Sequence, residues 1–159
     1  MDYKAYVDVL DEDFMNIVNN ESLTDKQFKA NKLVIAMKEY IDKKMIKYPD
    51  MTYIGISLSG GVDSAVITKA YHRIFQLYEY RLKIVAIHVK YNNREASKRE
   101  AAFLELWCEN LGIIYEQMNI DDISRDTIAR DLYEEVSRER RYDLYKKMIK
   151  ILKHKKELK

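Results

Sequence analysis

Tyr53-Ile54-Gly55-Ile56-Ser57-Leu58-Ser59-Gly60-Gly61-Val62-Asp63-Ser64 is the stretch on which the reading of the fold turns. An apolar run leads into two glycines, and apolar residues then recur at helical spacing at Val66, Ala70, Ile74 and Leu77. This is the pattern of a strand, a tight turn and a helix N-terminus. Backbone N–H groups of such a turn converge on one spot, where the helix dipole favours negative charge. Two consecutive glycines let a phosphate approach the backbone with no Cβ in the way. Ser59 and Ser64 add hydroxyl donors, so Ser59, Gly60, Gly61, Val62, Asp63 and Ser64 form the expected phosphate site. Asp63 would repel a bare phosphate, which points to Mg²⁺ between carboxylate and phosphate. The segment lacks the Gly-Lys-Ser/Thr ending of a Walker A loop and is not GxGxxG.

Strand and helix alternate onward from this turn. The pattern predicts strands at about 52–58, 84–89 and 113–118, with helices at about 63–79 and 95–111 between them. Ile84-Val85-Ala86-Ile87-His88-Val89 is apolar except for its histidine, as suits a parallel strand buried on both faces. The second of these helices carries Ala101, Leu104, Cys108 and Leu111 on its inner face and should stop at Gly112. A long helix is expected over about 126–157, with Ile128, Leu132, Val136, Tyr145, Met148 and Leu152 inward. Strand–helix–strand–helix–strand implies an α/β fold, a Rossmann-like parallel sheet of about three strands. Upstream, one helix is expected over about 3–18, on Val7, Leu10, Phe14 and Ile17. A second starts after Thr24, an N-cap with Gln27 at the capping-box position, and carries Leu33, Met37, Ile41 and Met45 up to Tyr48-Pro49. The chain therefore divides into a helical extension over 1–49 and a nucleotide-binding domain over 50–159.

Ligands of such sheets bind outside the carboxyl ends of the strands. With phosphates at 59–64, a nucleotide base would lie near the end of the second strand, which makes His88 and Val89 candidates for an adenine pocket, largely through backbone. The other reading of His88 is a core histidine bonded to a neighbour. The three histidines are scattered and there is one cysteine, so no metal cluster is expected.

Composition narrows the rest. A chain of 159 residues suits one domain, and 47% hydrophobic with 34% charged residues is globular rather than disordered. A net charge of +2 provides no global field for nucleic acid. The basic stretch from Lys146 to Lys159 reads either as a solvated helix face or as an RNA contact. A single cysteine fits a reducing, cytoplasmic setting, and no apolar run reaches the roughly 18 residues of a membrane span.

Ser59-Gly60-Gly61-Val62-Asp63-Ser64 resembles the PP-loop, SGGxDS, of the ATP pyrophosphatase superfamily. That resemblance implies the adenine nucleotide α-hydrolase (HUP) fold and ATP cleavage between the α and β phosphates. Ala86-Ile87-His88-Val89, Asn93-Arg94-Glu95-Ala96-Ser97 and Cys108-Glu109-Asn110-Leu111-Gly112-Ile113 are similar to segments of the tRNA(Ile)-lysidine synthetase family. Ser137-Arg138-Glu139-Arg140-Arg141-Tyr142 is similar to that family's arginine-bearing helix, with Arg138 and Arg141 at its two arginines. Three residues apart, they share a helix face; the alternative is a surface pair. The resemblance implies ATP and Mg²⁺ as cofactors, Asp63, Arg138 and Arg141 as catalytic residues, Asp63 as metal ligand, and tRNA and lysine as partners.

The resemblance spans about 52–145, and the family's further strand and His-x-x-Asp-Asp-Gln motif are not among these residues. The first strand, central in the family's sheet, is then expected at an edge. An edge with free N–H and C=O groups invites pairing. A helix cap combined with self-association, or a second polypeptide, is expected to cover it. Three functions remain open: a lysidine-synthetase-like ligase, another PP-loop ligase, or a non-catalytic nucleotide-binding scaffold. A thiolase is disfavoured, since only Cys108 is present.

Overall fold

The computed structural model describes residues 23–91, 95–120 and 130–157. Its elements are α1 (Asp25–Ala30), α2 (Lys32–Lys47), β1 (Tyr53–Ser57), α3 (Val62–Leu77), β2 (Lys83–Tyr91), α4 (Glu95–Leu111), β3 (Ile114–Ile120) and α5 (Arg130–Glu157). The helix expected over 3–18 lies outside the described residues.

The sheet is parallel, in the order β1-β2-β3. Ile56 sits beside Ala86, and Ala86 beside Tyr115. Each parallel step is made through a helix, α3 and then α4, as parallel pairing requires. The expected α/β Rossmann-like architecture is present, with β1 at an edge; among the described residues no strand pairs with its outer side.

β2 is covered on both faces, and its two-residue alternation separates the covers. Ile84 and Ala86 pack with Ile56, with Ala65, Ile74 and Phe75 of α3, and with Phe103, Leu104, Trp107 and Cys108 of α4. Phe28 of α1 and Val34, Met37 and Ile41 of α2 complete this core. Val85 and Ile87 face the other way, onto Met148 and Tyr145 of α5. Leu58, Ile74 and Leu104 are wholly buried, each contributing roughly 1.5–3 kcal/mol of apolar transfer.

Local signals account for the boundaries. Thr24 and Gln27 form the expected reciprocal capping box. Gly112 has φ +66, and Ile113 N–H reaches back to the Cys108 carbonyl at 2.8 Å, closing α4 with a left-handed turn. Two readings need correction. Asn31 is extended and its side chain accepts from Leu33 N–H at 2.9 Å, so it ends α1 and caps α2 where one helix was expected. The buried stripe of α2 is Val34, Met37 and Ile41, while Leu33 is 54% exposed. Residues spaced by four drift about 40° per step, so a run of four leaves its first member at the edge of the face. Val34, three before Met37, falls within it.

No helix among the described residues is long and apolar enough to cross a membrane.

Candidate functional site

The loop between β1 and α3 is shaped by its own serines. Ser59 N–H donates to Ser64 Oγ at 3.1 Å, and the Ser64 hydroxyl donates to the Gly61 carbonyl at 2.9 Å. The two hydroxyl oxygens are 3.1 Å apart, and Gly61 N–H donates to Ser59 Oγ at 3.3 Å. This closed set holds a tight turn at Gly60, whose φ of +82 is left-handed. Gly61 is the N-cap of α3 and supplies no side-chain cap. The first-turn N–H groups of a 16-residue helix are thus left for a ligand or solvent. Below the loop, buried Thr68 donates to the Ser64 carbonyl at 2.7 Å.

A cavity of about 410 Å³ opens beside this loop at the carboxyl ends of β1 and β2. Ser57, Leu58, Ser59, His88, Val89, Lys90, Glu100, Arg141 and Tyr145 line it. Four elements contribute: the β1 end, the β2 end, the start of α4 and the middle of α5. The Tyr145 hydroxyl lies 2.5 Å from Ser57 Oγ and ties α5 to the end of β1.

His88 is 2% exposed, and its Nδ1 lies 2.8 Å from the Leu58 carbonyl. A carbonyl only accepts, so Nδ1 carries the proton, and in the neutral ring Nε2 is an acceptor. Nε2 has no partner among the described residues. Glu100 stands over the glycine turn: a Cβ on Gly60 would lie 1.5 Å from its Oε1. Burial holds the Glu100 carboxyl above the usual carboxylate range, and the charge of His88 acts in the opposite direction.

The structure thus brings Ser59, His88, Val89 and Arg141 to one cavity, with Gly60, Gly61, Val62, Asp63 and Ser64 forming the adjoining turn. Arg138 lies elsewhere. Its guanidinium is 5.9 Å from the Tyr142 ring centre, in an outer groove of α5 with Glu135, Glu139, Asp143 and Lys146. Asp63 is exposed in the first turn of α3. Among the described residues no three His, Cys, Asp or Glu side chains gather to hold a metal ion. The donor set still fits Mg²⁺, which takes one or two carboxylates and completes its shell with phosphate oxygens and waters.

Sequence reading missed Glu100, Ser57 and Tyr145. A signal for Glu100 existed: it lies four before Leu104 and eight before Cys108, a carboxylate on the apolar stripe of its own helix. Ser57 and Tyr145 are 88 residues apart, and nothing local joins them.

Residues 26–155 match the model of a family described as the PP-loop domain. The chain is also similar to tRNA(Ile)-lysidine synthases. It is 31% identical to that of Thermotoga maritima over 98 residues, 62% of this chain and 23% of the relative. It is 29% identical to that of Enterococcus faecalis over 103 residues, 65% of this chain and 21% of the relative. The Mycoplasma genitalium protein is 29% identical over 94 residues, 59% of this chain and 29% of the relative. The matched segment thus spans between 21% and 29% of the length of these curated relatives.

Proposed function

The chain belongs to the PP-loop family, and from that premise we propose that this ATP-binding domain takes part in lysidine-type modification of a tRNA. In the proposed reaction the C2 oxygen of an anticodon cytidine attacks the α phosphorus of ATP and pyrophosphate leaves. The amine of lysine then displaces AMP. The first-turn N–H groups of α3 and the turn at 59–64 stabilise charge on the departing pyrophosphate. Mg²⁺, when bound, screens that charge, and Asp63 is assigned to hold it. Arg141 neutralises phosphate charge from the cavity wall. Arg138 lines an outer groove with Glu135, Glu139 and Asp143, so no phosphate of ATP is assigned to it. The ends of β2 at His88 and Val89 receive the adenine, largely through backbone.

The observation that carries this reading is the left-handed turn at Gly60 ahead of an uncapped helix, opening on a 410 Å³ cavity. The test is pyrophosphate release from ATP with tRNA and lysine as co-substrates. Asp63→Ala should abolish Mg-ATP binding; binding that survives would remove the basis of the loop assignment.

A second reading is a nucleotide-binding module without chemistry of its own. It is favoured by Arg138 lying outside the cavity, which leaves one of the two expected arginines away from the phosphates. ATP binding with no AMP formed under any substrate would select it. A thiolase is disfavoured on chemistry: burial pushes the thiol of Cys108 up to about 12, far from a nucleophilic thiolate. For partners, we propose that a second copy or another polypeptide pairs with the outer edge of β1, and we assign the protein to the cytoplasm.

A further inference from the structure

We infer that Glu100 makes polyphosphate binding at the glycine turn conditional on a divalent cation, which its carboxylate shares with the incoming phosphate. The inference rests on the PP-loop reading and adds to it a residue 40 positions from the loop.

Three observations carry it. The Glu100 side chain lies flat against Gly60, on the face left clear by the missing Cβ. Its Oε1, Cδ and Cγ lie 1.5, 2.4 and 2.9 Å from where that Cβ would be. A carboxylate therefore occupies the approach that two glycines keep open for a phosphate. Second, the hydrogen bonds and ion pairs among the described residues leave this carboxyl out. A half-buried acid beside an anion site, held above the usual carboxylate range by burial with only His88 acting against it, opposes a bare polyphosphate and favours one that arrives with a metal ion. Third, the wall beside it offers acceptors. His88 is 2% exposed, its Nδ1 is committed to the Leu58 carbonyl, and its Nε2 has no partner among the described residues. Carboxylate oxygens suit a hydrated Mg²⁺, which keeps several waters as donors, and do not suit an anion.

A purely structural role for Glu100, as packing on Gly60, would leave metal dependence untouched. Calorimetric titration of the full chain with ATP, and separately with inorganic pyrophosphate, distinguishes the two. Each titration is run in Mg²⁺ and in EDTA for the wild type, Glu100→Gln and Glu100→Asp, with circular dichroism melts to verify folding. The wild type is expected to bind about tenfold or more tighter in Mg²⁺. Glu100→Gln should narrow that ratio about threefold or more, by strengthening metal-free pyrophosphate binding and weakening Mg-ATP binding, with Asp63 keeping the remainder. Glu100→Asp, with the charge drawn back by one methylene, should fall between. A Gln variant that folds and keeps the wild-type ratio overturns the inference and leaves the PP-loop reading intact. If the Gln variant does not fold, Glu100→Asp decides, and an unchanged ratio there is equally fatal. A wild type that binds neither ligand in either buffer overturns the PP-loop reading and this inference with it.

Discussion

Replacing Gly60 by alanine imposes two separable costs, and the structure assigns a size to each. The backbone at Gly60 has φ +82, a left-handed conformation that costs an L residue with a Cβ about 1–2 kcal/mol. The new Cβ would also fall 1.5 Å from Glu100 Oε1, so that side chain must swing off the loop and lose its packing. The far end of a glutamate moves easily, which limits this second cost to of order 1 kcal/mol. Together they predict a loss of about 2–3 kcal/mol, or a melting temperature lower by about 5–10 °C for a domain of this size. Urea unfolding followed by circular dichroism measures the total. The double-mutant cycle with Glu100→Ala divides it, because only the backbone share survives once the glutamate is gone. Equal losses in both backgrounds would refute the Glu100 contact. A loss below about 0.5 kcal/mol in either would refute the left-handed turn itself.

Two further outcomes follow from contacts outside the loop. Tyr145→Phe removes the hydroxyl 2.5 Å from Ser57 Oγ and should cost about 0.5–1 kcal/mol in urea unfolding, the low end for a hydrogen bond whose partner is exposed. No change would mean that α5 is held on this face by Met148 and its apolar neighbours alone. Cys108 should resist alkylation at mildly alkaline pH in the native protein and react once unfolded, as mass spectrometry would report. Its folded thiol is raised from 9.0 to about 12, so its contribution to stability is intact below 9 and is lost as pH rises between those values. Rapid native labelling would contradict the burial.

The elements legible in the sequence are those with short-range causes. α4 occupies the residues read from its periodicity, because Gly112 terminates it and its apolar stripe is long enough to give one phase. The capping box at Thr24 was legible because both partners lie within one turn. Where two local signals compete, the reading fails by small amounts. Asn31 breaks the helix after Thr24, and the buried face of α2 begins at Val34 instead of Leu33. The cavity was only half legible. His88 and Val89 follow from strand ends facing a glycine turn, while Tyr145 needs the path of a helix that crosses the sheet on its other face.

Arg138 and Arg141 show where the division falls. Their spacing placed both on one side of a helix, and about 60° of rotation separates them. Only the packing of α5 against Val85 and Ile87 decides that Arg141 lines the cavity and Arg138 the outer groove. Likewise, Ser59 to Ser64 declared a strand, a glycine turn and a helix, since backbone conformation there depends on residues a few positions apart. That a carboxylate from α4 lies over Gly60, and that α5 is tied to the end of β1, are properties of the packed sheet. Local sequence controls the torsions of each element. Which side chains meet across elements is controlled by how two crossover helices and one long helix bury the two faces of β2.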